Sequence, residues 1–347
     1  MKLYDLEVHF FTEHYIAYLR KNDETPRMET ISLGKEQAER LLLGEGLWAL
    51  RQATLQSLLK MAREGRGDAD ERHDIVRVLS LAGPGCELFK PSEATPLVRE
   101  INDELAEIVR SRPGRLRGFA ALAPQDPEKA ASELDRAVTK LGFVGAKVNS
   151  HVRGGEYLDD RKYWPVFEAA DGLGVPIYIH PRPPSPQMVK PYADYGYRLA
   201  GPALGFAAET ALHAMRLIYS GLFDTYPRLK IILGHLGEGL PFFLHRTNHL
   251  WESEEGGAVL DLARPPSEYI KENFLVTTSG MCFMPAFLCT YMALGAESIL
   301  FASDYPFEKT DEAIRFIEHA PLCDADKRKI CYGNAESLFR EETTLQS

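Results

Sequence analysis

Eight short apolar runs recur along the chain, each bounded by turn residues or by a charged helical stretch. They are Leu3 to Phe10, Ile75 to Leu81, Leu116 to Ala123, Phe143 to Val148, Pro176 to His180, Lys230 to Leu233, Phe274 to Thr278 and Ser298 to Ala302. Between most of them lie stretches with helical periodicity, such as Pro127 to Leu141 and Tyr163 to Leu173. Strand alternating with helix implies right-handed crossovers and a parallel sheet. Eight repeats predict an α/β fold, a closed (β/α)8 barrel of the TIM type. An open doubly wound sheet is the runner-up, and no GxGxxG follows an early strand to support it.

Two segments are too long to be simple crossovers, and both are read as helical insertions, after strands 1 and 5. The first, about residues 12–74, contains a helical stretch, Lys35 to Arg63, with apolar positions at Leu41, Leu42, Trp48, Leu55, Leu58 and Leu59. The second runs from Pro181 to Arg228 and opens with PRPPSP. Either segment reads as a lid over the barrel mouth, or as surface decoration and an oligomer contact. Residues 1–347 are otherwise read as one domain, with a frayed tail after Arg340.

Composition narrows the class. The 347 residues are 45% hydrophobic, enough for a sizeable core, and the net charge of -10 comes with scattered Lys and Arg. Neither a nucleic-acid backbone nor an anionic membrane is an expected partner, and a small anionic substrate would need locally placed cations. Five cysteines without CxxC or Cys/His ligand spacing argue against a disulfide scaffold or a structural zinc module. The N-terminus, MKLYDLEVHFF, places Asp5 and Glu7 where a signal peptide would be apolar, and no 18-residue apolar stretch follows. A soluble, cytoplasmic protein is the expectation.

Candidate chemistry gathers at the ends of the apolar runs. Ile299-Leu300-Phe301 suits a strand buried on both faces, and it releases Asp304 just before Tyr305-Pro306. The first strand carries Glu7 and His9, two residues apart and so on one face. The fifth ends in His180, and the sixth leads to His235 with Glu238 three residues on. A barrel would bring these ends to one mouth, where carboxylates and imidazoles can hold a divalent ion. Phe10 and Phe283 are read as packing residues.

ExH on the first strand, IHPRPP after the fifth, SGLFDTYPRLKIILGHLGEGLPFF and FASDYPFE together resemble the metal-dependent amidohydrolase superfamily. More narrowly they resemble its non-oxidative decarboxylases, the branch acting on hydroxybenzoates and related to aminocarboxymuconate-semialdehyde decarboxylase. The resemblance runs from Asp5 to about Phe339 and covers residues 12–74 poorly. The general pattern of the superfamily is HxH, and Glu7 stands where its first histidine would be, as in the hydroxybenzoate branch. The resemblance implies that Glu7, His9, His180 and Asp304 ligate one divalent ion, Zn or Mn. It implies a small aromatic acid as substrate, an ortho-hydroxybenzoate that loses CO2, with Asp304 protonating the ring carbon. His235 would polarise a phenolic oxygen, and Glu238 would orient or charge it, or else cap a helix. Arg246, eleven residues after His235, would lie near the substrate or on a surface helix. Lys147 would be structural or substrate-facing, and the protein a homo-oligomer, dimer or tetramer. The alternative is a metal-dependent hydrolase of a lactone or amide, using nearly the same residues; a barrel with a lapsed metal site, serving as a scaffold, is a further one.

Overall fold

The apolar runs form the staves of a closed barrel in the computed structural model, which describes residues 2–33, 36–44, 47–49, 52–65, 69, 72–249, 251 and 262–340. The staves are β1 (Lys2–Phe10), β2 (Asp74–Leu81), β3 (Leu116–Gly118, resumed at Ala120–Ala121) and β4 (Ala146–Asn149). They continue as β5 (Ile177–His180), β6 (Ile231–Leu233), β7 (Phe274–Thr277) and β8 (Ile299–Leu300). Each pairs in parallel with its sequence neighbour. At the break in β3, the Phe119 N–H donates to the Leu79 carbonyl and the Ala120 N–H to the Gly145 carbonyl, both at 2.9 Å. At the last seam, the Leu6 N–H donates to the Phe301 carbonyl at 3.2 Å and the His9 N–H to the Tyr305 carbonyl at 2.8 Å. Both seams are thus hydrogen-bonded and the sheet has no free edge, which sets aside the open doubly wound alternative.

Crossover helices cover the outside. Pro91–Arg110 turns Leu97, Val98, Ile101 and Leu105 inward at helical spacing, and Pro91 sits at a start where a missing N–H costs nothing. Pro127–Thr139 and Pro266–Asn273 begin the same way. The interior is plugged by Tyr4, Leu6, Val78, Phe119, Tyr178 and Ile232. Burying each such side chain contributes roughly 1.5–3 kcal/mol.

One irregularity decides where the chemistry points. Strict alternation from Leu6 would turn Val8 inward and Glu7 away. The β1–β2 register shifts between Asp5 and Val8, and the alternation is carried over by one residue. Val8 therefore packs in the outer core, while Glu7 and His9 face the barrel interior.

The first insertion differs from the expected helix. Arg27–Leu33, Glu36–Gly44 and Leu47–Ala49 form an antiparallel ribbon, with Met28 opposite Leu41, and among the described residues of the stretch read as helical the only helix is Gln52–Glu64. Residues 34–35, 45–46 and 50–51 of that stretch lie outside the described residues. Leucine-rich sequence favours helix intrinsically, but pairing with Arg27–Leu33 overrides that preference. The glycines at 34, 44 and 46 were the sequence signal against a continuous helix. Ahead of the ribbon, helix Glu13–Lys21 is capped by Thr12, whose Oγ1 accepts from the Tyr15 N–H at 3.1 Å. Helix Gln52–Glu64 anchors the insertion through Leu55, Leu58 and Met61, all buried with Phe11 and Tyr15. The second insertion is helical as expected, with Tyr197–Ala200, Gly205–Tyr219 and Leu222–Thr225 among its turns. Phe10 is in the core as read, but Phe283 is 61% exposed at the start of Met284–Leu294. The tail from residue 341 lies outside the described residues. Among those described, no helix is long and apolar enough to cross a membrane.

Candidate active site

The ends of three strands, β1, β5 and β8, converge at the mouth. Glu7, His9, His180 and Asp304 each present one ligand atom, and these atoms all lie within 4.8 Å of one another. Nε2 of His9 is 3.1 Å from Oδ1 of Asp304, and Nε2 of His180 is 3.1 Å from Oε1 of Glu7. Glu7 and His9 are fully buried.

This arrangement fits a divalent cation on its own terms. His180 Nδ1 faces the Pro181 carbonyl at 2.8 Å and Asn149 Oδ1 at 3.2 Å, so Nδ1 carries the proton and Nε2 holds a lone pair. Burial, with the charge of Lys147 behind it, pushes the His180 pKa down to about 3. A neutral imidazole thus aims a lone pair at a carboxylate, and Oε1 of Glu7 is buried without a hydrogen-bond partner. Two lone-pair donors facing each other in a dry interior call for a cation between them. Imidazole mixed with carboxylate oxygen is a donor set for Zn or Mn.

A supporting layer fixes the ligands. The Tyr178 hydroxyl donates to Oε2 of Glu7. Asn149 is itself clamped by buried Glu87, which accepts from the Asn149 N–H at 2.7 Å and from its side-chain amide at 3.0 Å. Neither Tyr178, Asn149 nor Glu87 was anticipated from the sequence. The signal existed for two of them: Tyr178 is two residues before His180 on β5, and Asn149 pairs in register with His180 at the adjacent strand end.

His235 and Glu238 form the second pair. His235 Nδ1 donates to Oε1 of Glu238 at 2.8 Å, and Nε2 lies 3.8 Å from Oδ2 of Asp304. Burial opposes charge on this imidazole, but the Glu238 and Asp304 carboxylates facing it outweigh that and hold the pKa well above the ordinary value. Burial and Glu7 push Asp304 up, but the His235 and His9 imidazoles facing it outweigh them and hold its pKa below the ordinary value. The resting pair is imidazolium beside carboxylate. Backbone strain concentrates here: His235, Leu236, Glu238 and Asp304 have φ of 52°, 59°, 55° and 66°, each costing on the order of 1–3 kcal/mol for a residue with a Cβ. Gly280 makes room, since a Cβ there would meet His235 Cδ2 at 3.0 Å.

A cavity of about 1060 Å³ opens over these groups and is walled by His180, His235, Glu238 and Asp304 together with residues of both insertions. Arg246 is not among the wall residues. After Glu238 the chain leaves the mouth through Leu240–Phe243 and the turn Leu244–Asn248, which leaves Arg246 exposed on the outer surface. Of the two places expected for it, beside the substrate or at the surface, one copy of the chain shows the surface one. Lys147 is also outside the wall; it is buried, its Nζ has no hydrogen-bond partner, and burial lowers its pKa to about 8.

Comparison with known proteins places this geometry. Residues 14–340 match the sequence profile of the amidohydrolase family. The chain is 42% identical over 293 residues to gamma-resorcylate decarboxylase of Polaromonas sp. strain JS666, covering 82% of this chain and 90% of that protein. It superposes on 5-carboxyvanillate decarboxylase from Sphingomonas paucimobilis with a TM-score of 0.85 at 34% identity, covering 98% and 99% of the two chains. A dihydroxybenzoic acid decarboxylase from Polaromonas sp. JS666, solved with manganese and the inhibitor 2-nitroresorcinol, gives a TM-score of 0.82 at 36% identity, covering 100% and 99%.

Proposed function

This chain belongs to the amidohydrolase family, and on that premise we propose that it is a metal-dependent, non-oxidative decarboxylase of an ortho-hydroxybenzoate. The observation that carries the reading is the convergence of Glu7, His9, His180 and Asp304 within 4.8 Å, in a chain whose relatives are named as aromatic-acid decarboxylases. Manganese is the ion to reconstitute with first, since a solved relative holds it. Bound by those four residues, a divalent ion would supply the positive charge that gathers the substrate carboxylate and its neighbouring phenolate.

The protein's own groups then manage one proton. Asp304 is the donor to the ring carbon bearing the carboxylate. That carbon gains hydrogen, the bond to the carboxylate breaks, and CO2 leaves with aromaticity restored. Asp304 is held ionised at rest, so the proton reaches it at turnover, from the His235 imidazolium facing its Oδ2 or from the substrate phenol. Glu238 keeps His235 charged and oriented, which lets it hold a phenolic oxygen.

The same reading includes a homo-oligomer. Phe242 and Phe243, 75% and 54% exposed, stand in one strip with Arg246, and that strip is the contact we assign; a substrate contact for Arg246 would then be made to a neighbouring copy. Five free cysteines among the described residues fit a reducing, cytoplasmic setting. The deciding experiment is CO2 release by manganese-reconstituted protein from a panel of 2-hydroxybenzoates, beside lactone and amide panels. Release from a benzoate supports the assignment; silence there with hydrolysis of a lactone or amide replaces it.

A further inference from the structure

We propose that the preferred substrate is an ortho-hydroxybenzoate whose ring carries an apolar substituent of several carbons, seated against the wall that the insertions build. This rests on the decarboxylase reading above and narrows it.

The cavity's 1060 Å³ stands at the top of the roughly 300–1,000 Å³ that encloses drug-sized ligands. A single-ring acid fills a small part of it. The wall is chemically divided. His180, His235, Glu238 and Asp304 concentrate the polar groups at the ion site, whereas Leu41, Leu43, Leu88, Val189, Leu204 and Phe206 contribute apolar surface elsewhere. Leu41 and Leu43 belong to one strand, Glu36–Gly44, and both border the cavity. Leu204 is left 52% exposed on that wall, an exposure that an apolar ligand group relieves.

The cations of the wall are already engaged, which separates an apolar substituent from a second carboxylate. Arg153 donates from Nη2 to Oε2 of Glu24 at 2.9 Å and from Nη1 to the Leu88 carbonyl at 3.1 Å. Arg182, buried, donates from Nη1 to the His151 carbonyl at 2.8 Å and from Nη2 to the Pro84 carbonyl at 3.4 Å, tying three loops together. An alkyl or aryl group loses nothing against such a wall, while a second carboxylate would be desolvated without a dedicated partner.

The test is a chain-length series on the manganese-loaded protein. 2,6-Dihydroxybenzoates bearing hydrogen, methyl, propyl, pentyl or carboxylate at position 4, and 2-hydroxybenzoates bearing the same groups at position 6, are compared by kcat/KM for CO2 release. In one series at least, kcat/KM should rise roughly fourfold per buried methylene, and the carboxylate should fall below the pentyl group. A value that is flat or falling beyond methyl in both series, or a carboxylate that outranks pentyl, overturns the proposal. Calorimetric binding of 5-alkylresorcinols reads the same wall without turnover. Tightening with length but no CO2 from any acid keeps the apolar subsite and removes the decarboxylase reading; no tightening with length removes the subsite. Leu43→Glu should lower the pentyl-to-hydrogen ratio of kcat/KM by about tenfold or more. Leu204→Glu, at a half-exposed position, makes the same comparison where Leu43→Glu fails to fold.

Discussion

At the barrel mouth, Glu7 and His9 are fully exposed to one another and to no solvent, their partners come from strands far apart in sequence, and four residues with a Cβ hold left-handed backbone. In the ribbon of residues 27–49, charges pair at the surface, as Arg20 does with Glu39 from the preceding helix, and the strands pair in chain order. The mouth is over-determined by packing, which is what lets it keep strain and buried charge. The ribbon is held by one leucine face and by exposed ion pairs. The difference separates two tasks: the closed sheet fixes the ion and the proton, and the insertions shape what else the cavity admits. Changes at the mouth should therefore act on chemistry or ion retention, and changes in the ribbon on substrate choice or a little stability.

The largest effect is expected from Asp304→Asn. The amide keeps the size of the side chain but cannot carry a proton to carbon, so single-turnover CO2 release should slow by about a thousandfold or more, within the 10²–10⁴ range of general acid catalysis and its upper neighbourhood. A rate near that of the wild type would refute the donor role while leaving the ligand assignment to be judged by manganese content.

His180→Ala comes next and acts on the ion itself. It deletes one of the four proposed ligands and exposes the partnerless Oε1 of Glu7. Elemental analysis of purified protein should show metal content reduced to a small fraction; full occupancy would take His180 out of the ligand set. Glu87→Gln is the milder version, because it touches no ligand. Glu87 acts through Asn149 on His180, and loss of such outer support weakens metal binding by about 10–100-fold. A chelator-competition titration reads this directly. An unchanged affinity would reduce the Glu87–Asn149 clamp to loop packing.

These residues also mark what the sequence could disclose. The proposed ligands were legible in two ways: His180 and Asp304 follow continuous apolar runs, where a histidine or carboxylate needs a reason to be, and period two sets Glu7 and His9 on one face of the first strand. The closed barrel followed from counting those runs. The β1 register shift was invisible, because nothing in DLEVH distinguishes a bulge from plain alternation, although period two from either residue pairs Glu7 with His9. The ribbon was misread because Leu41, Leu42 and Leu43 satisfy a helical stripe as readily as a strand, and only cross-strand pairing to Met28 decides between them. Arg246 stayed open between substrate and surface for a related reason: spacing along the chain says nothing of the turn at Leu244–Asn248, where it is exposed. Glu87 lies in a loop, where no periodicity applies.

The smallest effect should come from the ribbon's own surface. Arg20 meets Glu39 through two bonds, Nε to Oε1 at 2.7 Å and Nη2 to Oε2 at 2.8 Å, a forked geometry better than most exposed pairs. The Arg20 side chain is nevertheless 47% exposed, and solvent screening leaves such a pair about 0.2–1 kcal/mol. Arg20→Met keeps the apolar stem and removes the fork. Urea unfolding should therefore show a midpoint lowered only slightly, with manganese affinity unchanged because no ion ligand contacts the pair. If instead the variant lost manganese as His180→Ala is expected to, ribbon and mouth would be one cooperative unit, and assigning ion chemistry to one and substrate choice to the other would fail.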